Sequence, residues 1–213
     1  MRSRSPDTSS TTAMRTIFLL ALASFVGAAN LRVCDALLPQ VAAELRVSVG
    51  SAAAMVTAFA IAYGVCQIVV GPLGDARGKL RMVVLGSLWA GVATIVCAAM
   101  PSLPPVVLFR FLAGAGAAAI IPLAIAWIGD VVAYERRQAV LAQYISGQIL
   151  GIVFGQAAGG ALAELIGWRA TLLCVGILHL CAGLLLLLER RFSGDSSPPS
   201  KPRWRKAALE AMA

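Results

Sequence analysis

The chain has 213 residues, 59% of them hydrophobic and only 13% charged, with a mean hydropathy of +0.83. A soluble domain carries about 25% charged residues, so this composition excludes a sizeable soluble domain and places the chain in a bilayer as one membrane domain. The net charge of +8 does not read as nucleic-acid binding, because the cations lie beside and between apolar runs, where orientation signals are found.

Residues 1–14, rich in Ser and Thr with Arg2, Arg4 and Pro6, are too polar to bury and read as a disordered tail, with Met14 as a second candidate start. Arg15 through Ala29 imitates a secretory signal, with a basic start, an apolar middle and small residues at Gly27 and Ala29. The apolar pattern resumes through Leu31, Val33 and Ala36-Leu37-Leu38, so a first spanning helix over about 16–38 is the better reading. Its end reads Asn30-Leu-Arg32-Val-Cys-Asp35-Ala-Leu-Leu-Pro39. Arg32 and Asp35, three apart, share a helix face and can neutralise each other. As structure the pair makes two charges tolerable; as function it offers a carboxylate whose protonation shifts when a substrate or proton arrives.

Further runs long enough to cross follow at about 51–72, 80–100, 104–129, 138–163 and 170–188. Between the second and third stands Gly71-Pro-Leu73-Gly-Asp75-Ala-Arg77-Gly78-Lys79-Leu-Arg81, whose cations, acid and glycines read as a short charged hairpin. The fourth run begins Leu108-Phe-Arg110-Phe-Leu-Ala-Gly114-Ala-Gly116. Arg110 lies roughly 9 Å deep at 1.5 Å per residue. It must snorkel to the interface or turn inward to bond backbone or substrate, because an exposed charge inside a span costs several kcal/mol.

The fifth run carries Gly147, Gly151, Gly155, Gln156, Gly159 and Gly160; glycines four apart make one smooth packing face. Ser146 on this run and the lone His179 on the sixth raise a function of another class, an intramembrane serine protease, which would need the histidine to activate the serine. Tyr144 stands where such an enzyme is expected to have glycine, and no oxyanion donor set accompanies the pair. Cys34, Cys66, Cys97, Cys174 and Cys181 form no C-x-x-C pair and have no clustered histidines, so they read as free thiols with no metal site. No Gly-rich lysine loop for nucleotide phosphates is present, and no cofactor is expected. After Glu189 the composition shifts to Arg, Ser and Pro and then to Trp204-Arg-Lys, so 191–213 reads as a basic tail, unstructured or lying on anionic lipid.

Sorting the cations by connection puts Arg2, Arg4, Arg15, Arg77, Lys79, Arg81, Arg136, Arg137, Arg190, Arg191, Lys201, Arg203, Arg205 and Lys206 on one side, and Arg46 and Arg169 on the other. By the positive-inside rule the first side is cytoplasmic, both termini are inside and the number of spans is even.

The order of these fragments, over about 16–190, resembles that of major facilitator transporters. The 71–81 segment is similar to the family's loop between helices 2 and 3, matching it at Gly71, Leu73, Asp75, Gly78 and Lys79, with Ala76 and Leu80 as departures and Arg77 and Arg81 carrying charge one place along. The Arg110 segment resembles a second family motif, with Ala113 in place of glutamine. The 147–160 glycines resemble a motif of drug and proton antiporters, with Gln156 in place of proline, and the Arg32 to Pro39 segment resembles one found in some subfamilies. Gly167-Trp168-Arg169 looks like the family's outer loop between helices 5 and 6.

The resemblance implies an all-α polytopic membrane protein, six helices in a 3+3 inverted repeat forming the N-terminal half of a facilitator fold. It implies secondary transport of a small organic solute, with export coupled to protons, across the bacterial inner membrane. Spans 1 and 4 would line the cavity, with Arg32, Asp35 and Arg110 as substrate and proton residues; two arginines against one aspartate would favour an anionic or electron-rich solute. The 71–81 loop would gate, Asp75 latching the two halves. A second six-helix half, as a separate chain or as a second copy, would complete the cavity. The alternative is a truncated or remnant half that transports nothing.

Overall fold

Away from water a helix satisfies its backbone N–H and C=O groups within one segment, and the apolar runs fold accordingly. The structure, a computed structural model, describes residues 6–193, with side chains from 13 to 190. The described residues form α1 (Pro6–Leu45), α2 (Val49–Ala52), α3 (Ala54–Arg77), α4 (Lys79–Ala98), α5 (Leu103–Ala117), α6 (Ile120–Val131) and α7 (Tyr134–Ser193). Five stretches are long and apolar enough to cross a membrane: Ala13–Leu45, Val49–Arg77, Lys79–Ala98, Leu103–Val131 and Tyr134–Arg190.

Two expectations are corrected by these helices. Helix α1 starts at Pro6, so residues 6–14 are helical turns rather than a disordered tail. Proline suits a first helical position, where an N–H would lack a partner anyway, and extending a formed helix gains a bond for each residue fixed. Residues 1–5 and 194–213, the remainder of the expected tails, lie outside the described residues.

The second correction concerns the charged hairpin at 71–81. Helix α3 runs on to Arg77 and α4 starts at Lys79, so the turn is the single residue Gly78, at φ +94°. Only glycine adopts that conformation without a Cβ penalty, and the Gly78 N–H closes α3 on the Gly74 carbonyl at 2.9 Å.

The expected run at 104–129 lies within the single stretch Leu103–Val131, which carries a kink between α5 and α6. Pro122 has no N–H for the Ala118 carbonyl and its ring crowds that group. The amides of Ala118 and Ala119 turn back onto Gly114 and Gly116.

Within α7 the chain leaves helical geometry at Gly167, φ +82°, and doubles back. Before it, Gly151, Gly155 and Gly159 lie on Phe25, Ala29 and Val33 of α1, running in the same direction; after it, Gly176 and Gly183 lie on Ile95 and Leu88 of α4, running in the opposite one. Helix α5 closes on α3 in a similar way, Gly114 against Phe59. In a bilayer such smooth faces let dispersion forces act over short distances where no hydrophobic drive exists. The core falls into two layers, one around Leu20, Phe59, Ile120 and Tyr144 and the other around Leu37, Met55, Val106 and Trp168.

The corner after Gly167 is clasped by Arg169. Its Nε donates to Glu44 Oε1 at 2.7 Å and its Nη1 to the carbonyls of Ala98 and Met100 at 2.6 and 2.8 Å, while Trp168 Nε1 donates to Glu44 Oε2 at 2.6 Å. One guanidinium thus ties the ends of α1, α4 and the α7 corner. Arg169→Ala should cost about 1–2 kcal/mol, a charge-assisted value reduced by partial exposure. Arg169→Lys should recover under half of that, because an ammonium cannot hold a carboxylate and two carbonyls in a planar fork. Thermal unfolding in detergent measures both.

Candidate functional site

Three groups of sequence-selected residues occupy three different places. The first is the Arg32–Asp35 pair on α1, joined at 3.3 Å between Nη1 and Oδ2, with side chains 48% and 30% exposed. Helical spacing brings the two together. Only one Arg32 N–H and one Asp35 oxygen are engaged in this contact, so both keep hydrogen-bonding capacity at an open surface.

Arg110 is elsewhere. It is fully buried, its Nη1 donating to Asn30 Oδ1 at 2.7 Å and its Nη2 to the Asn30 carbonyl at 3.1 Å. The Phe59 ring lies 4.3 Å from the guanidinium carbon, a favourable cation–π distance. Asn30 Nδ2 in turn donates to Thr94 Oγ1 at 3.0 Å, and that hydroxyl to the Ala90 carbonyl at 2.7 Å. The relay runs one way, which fixes the orientation of the Asn30 amide. Among the described residues no carboxylate is in ion-pair contact with Arg110. Arg110 therefore neither snorkels nor faces the open surface with Arg32: it braces α1, α3 and α5 from inside. The expected surplus of positive charge on the open face is corrected with it, since Arg32 and Asp35 balance.

The third place is the turn between α3 and α4. Lys79 Nζ reaches Asp75 Oδ1 at 3.6 Å and Asp130 Oδ2 at 2.5 Å. A lysine shared between two carboxylates ties the end of α3 to the end of α6. Gly71 faces open space and Gly74 is buried on Leu123, Leu73 is half-buried, and Arg77 and Arg81 are exposed.

On α7, Gly151, Gly155 and Gly159 form the seam with α1, whereas Gly147 meets nothing within 4 Å and Gly160 lies 3.7 Å from the Ala36 Cβ, measured from an added Cβ. Gln156, in the proline position of the resembled motif, is exposed. One turn before the Ala36–Gly160 contact, Arg32 and Gln156 occupy matching positions on the two parallel helices. They therefore stand at one edge of the seam.

Ser146 and His179 are not brought together. The serine hydroxyl donates to the Ala142 carbonyl one turn back, at 2.9 Å, and is exposed, whereas His179 is buried with neither ring nitrogen partnered. Nothing in this arrangement activates the hydroxyl.

Residues that sequence reasoning passed over include Asn30, Thr94 and Asp130. Asn30, the uncharged amide in the middle of an apolar run, was the available signal, since such a group requires a partner in a bilayer. Asp130 lies at the end of α6 and could have been matched by sign to the basic turn. An open groove of about 500 Å³ at the start of α7, lined by Tyr134, Arg137, Gln138, Leu141 and Ile145 among others, had no sequence signal.

The family model described as Major Facilitator Superfamily matches residues 20–212. The chain is 24% identical over 172 residues to the uncharacterized MFS-type transporter YybF of Bacillus subtilis, covering 81% of this chain and 43% of that protein. It is 25% identical over 149 residues to the multidrug export protein EmrB of Haemophilus influenzae, covering 70% and 29%. A crystal structure of the peptide transporter POT in complex with sulfate superposes with a TM-score of 0.76 at 18% identity, over 93% of this chain and 43% of that one, a likeness of fold alone. The chain thus spans less than half the length of these proteins.

Proposed function

Because the chain belongs to the Major Facilitator Superfamily, we propose that it forms one half of a secondary transporter that moves a small organic solute, as proton-coupled export. Its membrane domain is read as six spans in a 3+3 inverted repeat, the long α7 contributing two across the Gly167 corner. The basic end is read as cytoplasmic, in a bacterial inner membrane, with both termini there. The solute site is assigned to Arg32 and Asp35, and the Asp75–Lys79–Asp130 group to gating.

One observation carries this reading: an ion pair left partly open within a stretch long and apolar enough to cross a membrane. Charges facing lipid are costly, so a surface of this kind supports a water-filled cavity or a covering protein. The sparse packing of Val49–Arg77 agrees, with 22% of its most apolar window buried against 50–56% for Ala13–Leu45, Lys79–Ala98 and Leu103–Val131. The groove at the start of α7 lies at the end where a partner's charged turn would dock.

Cells expressing the chain should accumulate less of at least one member of a panel of anionic, zwitterionic and cationic fluorescent solutes, in an uncoupler-sensitive manner that Asp35→Asn abolishes. A panel in which no solute responds, or responds equally in Asp35→Asn, argues against the reading. If the second half is another copy, cysteines at positions 75 and 138 of an otherwise cysteine-free chain should crosslink between chains. Persistent failure to crosslink would leave a different polypeptide as the partner.

A further inference from the structure

Resting on the transporter reading, we infer that the solute taken by this site is a small zwitterion, carrying a carboxylate and a primary ammonium a few bonds apart. With Arg110 sealed in the core, the polar groups that the described residues place at this edge of the α1–α7 seam include one cation, one anion and one neutral amide: Arg32, Asp35 and Gln156. The ion pair between the first two is a single contact at 3.3 Å, long for a charge-assisted bond, where about 2.7–2.9 Å is usual. It is a pair that can open at small cost.

A solute bearing only a carboxylate would take Arg32 and strand Asp35, and one bearing only an ammonium would do the reverse. The site is open in this half alone; once a second half covers it and water leaves, a group so stranded costs more than the new contact returns. A zwitterion exchanges one weak intramolecular pair for two charge-assisted contacts and leaves neither charge alone. Gln156, with an amide donor and acceptor, is one turn before Gly160 as Arg32 is one turn before Ala36, a position from which it would hold a polar substituent or one carboxylate oxygen. Its position in the seam depends on Gly155 and Gly159 keeping α7 close to α1.

The test uses the full chain, purified in detergent, with L-leucine, N-acetyl-L-leucine and L-leucine amide as zwitterion, anion and cation of matched bulk. Binding is read as a ligand-dependent rise in the unfolding midpoint. L-leucine should raise it, and the two analogues should need roughly 10–100 times more ligand for the same rise, as loss of a charge-assisted contact predicts. Asp35→Asn should then bind the anion as well as the zwitterion, and Arg32→Gln the cation as well as the zwitterion. Such paired reversals would not follow from a structural defect.

Equal responses to all three in the unaltered chain, or the same loss of all three in both variants, would overturn the inference while leaving transport to the export panel. No response to any of them at the solubility limit would overturn it as well. Export of a solute of single charge would then keep the transporter reading without the zwitterion.

Discussion

Gly155→Ala should destabilise the protein by about 1–3 kcal/mol, and Gly147→Ala, two turns earlier on the same helix, should leave it unchanged or raise its stability by up to ~1 kcal/mol. The chemistry of the two changes is identical and the neighbourhoods are not. A Cβ at Gly155 would stand 2.5 Å from the Ala29 carbonyl oxygen and 2.7 Å from its Cα, whereas one at Gly147 meets nothing within 4 Å. Because the obstacle is helical backbone rather than the end of a flexible side chain, relief requires α7 to move off α1 along the seam. At Gly147 alanine only brings its better helix propensity. Unfolding midpoints of the two variants in one detergent decide the matter, and like signs would show that the seam is looser than its distances imply.

The second large effect is expected at Asn30. Asn30→Ala should cost about 3–5 kcal/mol, more than Arg110→Met, and the double variant should be more stable than Asn30→Ala alone. Removing Asn30 takes from Arg110 its side-chain acceptor and from Thr94 its amide donor, leaving a buried charge short of compensation, the costliest way to break such an arrangement. Removing Arg110 strands only a neutral amide oxygen, worth about 1–3 kcal/mol. The two residues touch, so their effects should fail to add, and a double-mutant cycle measures by how much. Additive losses would mean that the relay contributes nothing as a unit.

These cases show what sequence makes visible. The apolar runs could be read directly, because span length follows from bilayer thickness. The Arg32–Asp35 pair was visible for a similar reason: residues three apart on a helix are neighbours whatever the rest of the chain does. Arg110 was not resolved between outward and inward, since its partner is 80 positions away and only packing of α5 on α1 brings Asn30 within reach. The pairing of Lys79 with Asp130, 51 apart, escaped notice on the same account. The charged segment at 71–81 was found but given the wrong shape: its glycines suggested a loop, whereas one glycine with positive φ completes the reversal and helix continues on both sides. The tail at 6–14 was misjudged because composition describes an isolated peptide, not one continuing a long helix.

The one-residue connection at Gly78 also fixes an angle. Each residue advances a helix by about 100° and 1.5 Å, and a turn this short has no slack to absorb a change in either. The rotational phase of α4, and with it the direction in which Thr94 presents its hydroxyl to Asn30, is thus set at the opposite end of the helix, 16 positions away by number. A longer loop would tolerate insertion without consequence inside the bundle. Here one added residue would rotate a whole helix face, so the length of this connection is as much a part of the buried relay as the residues that form it.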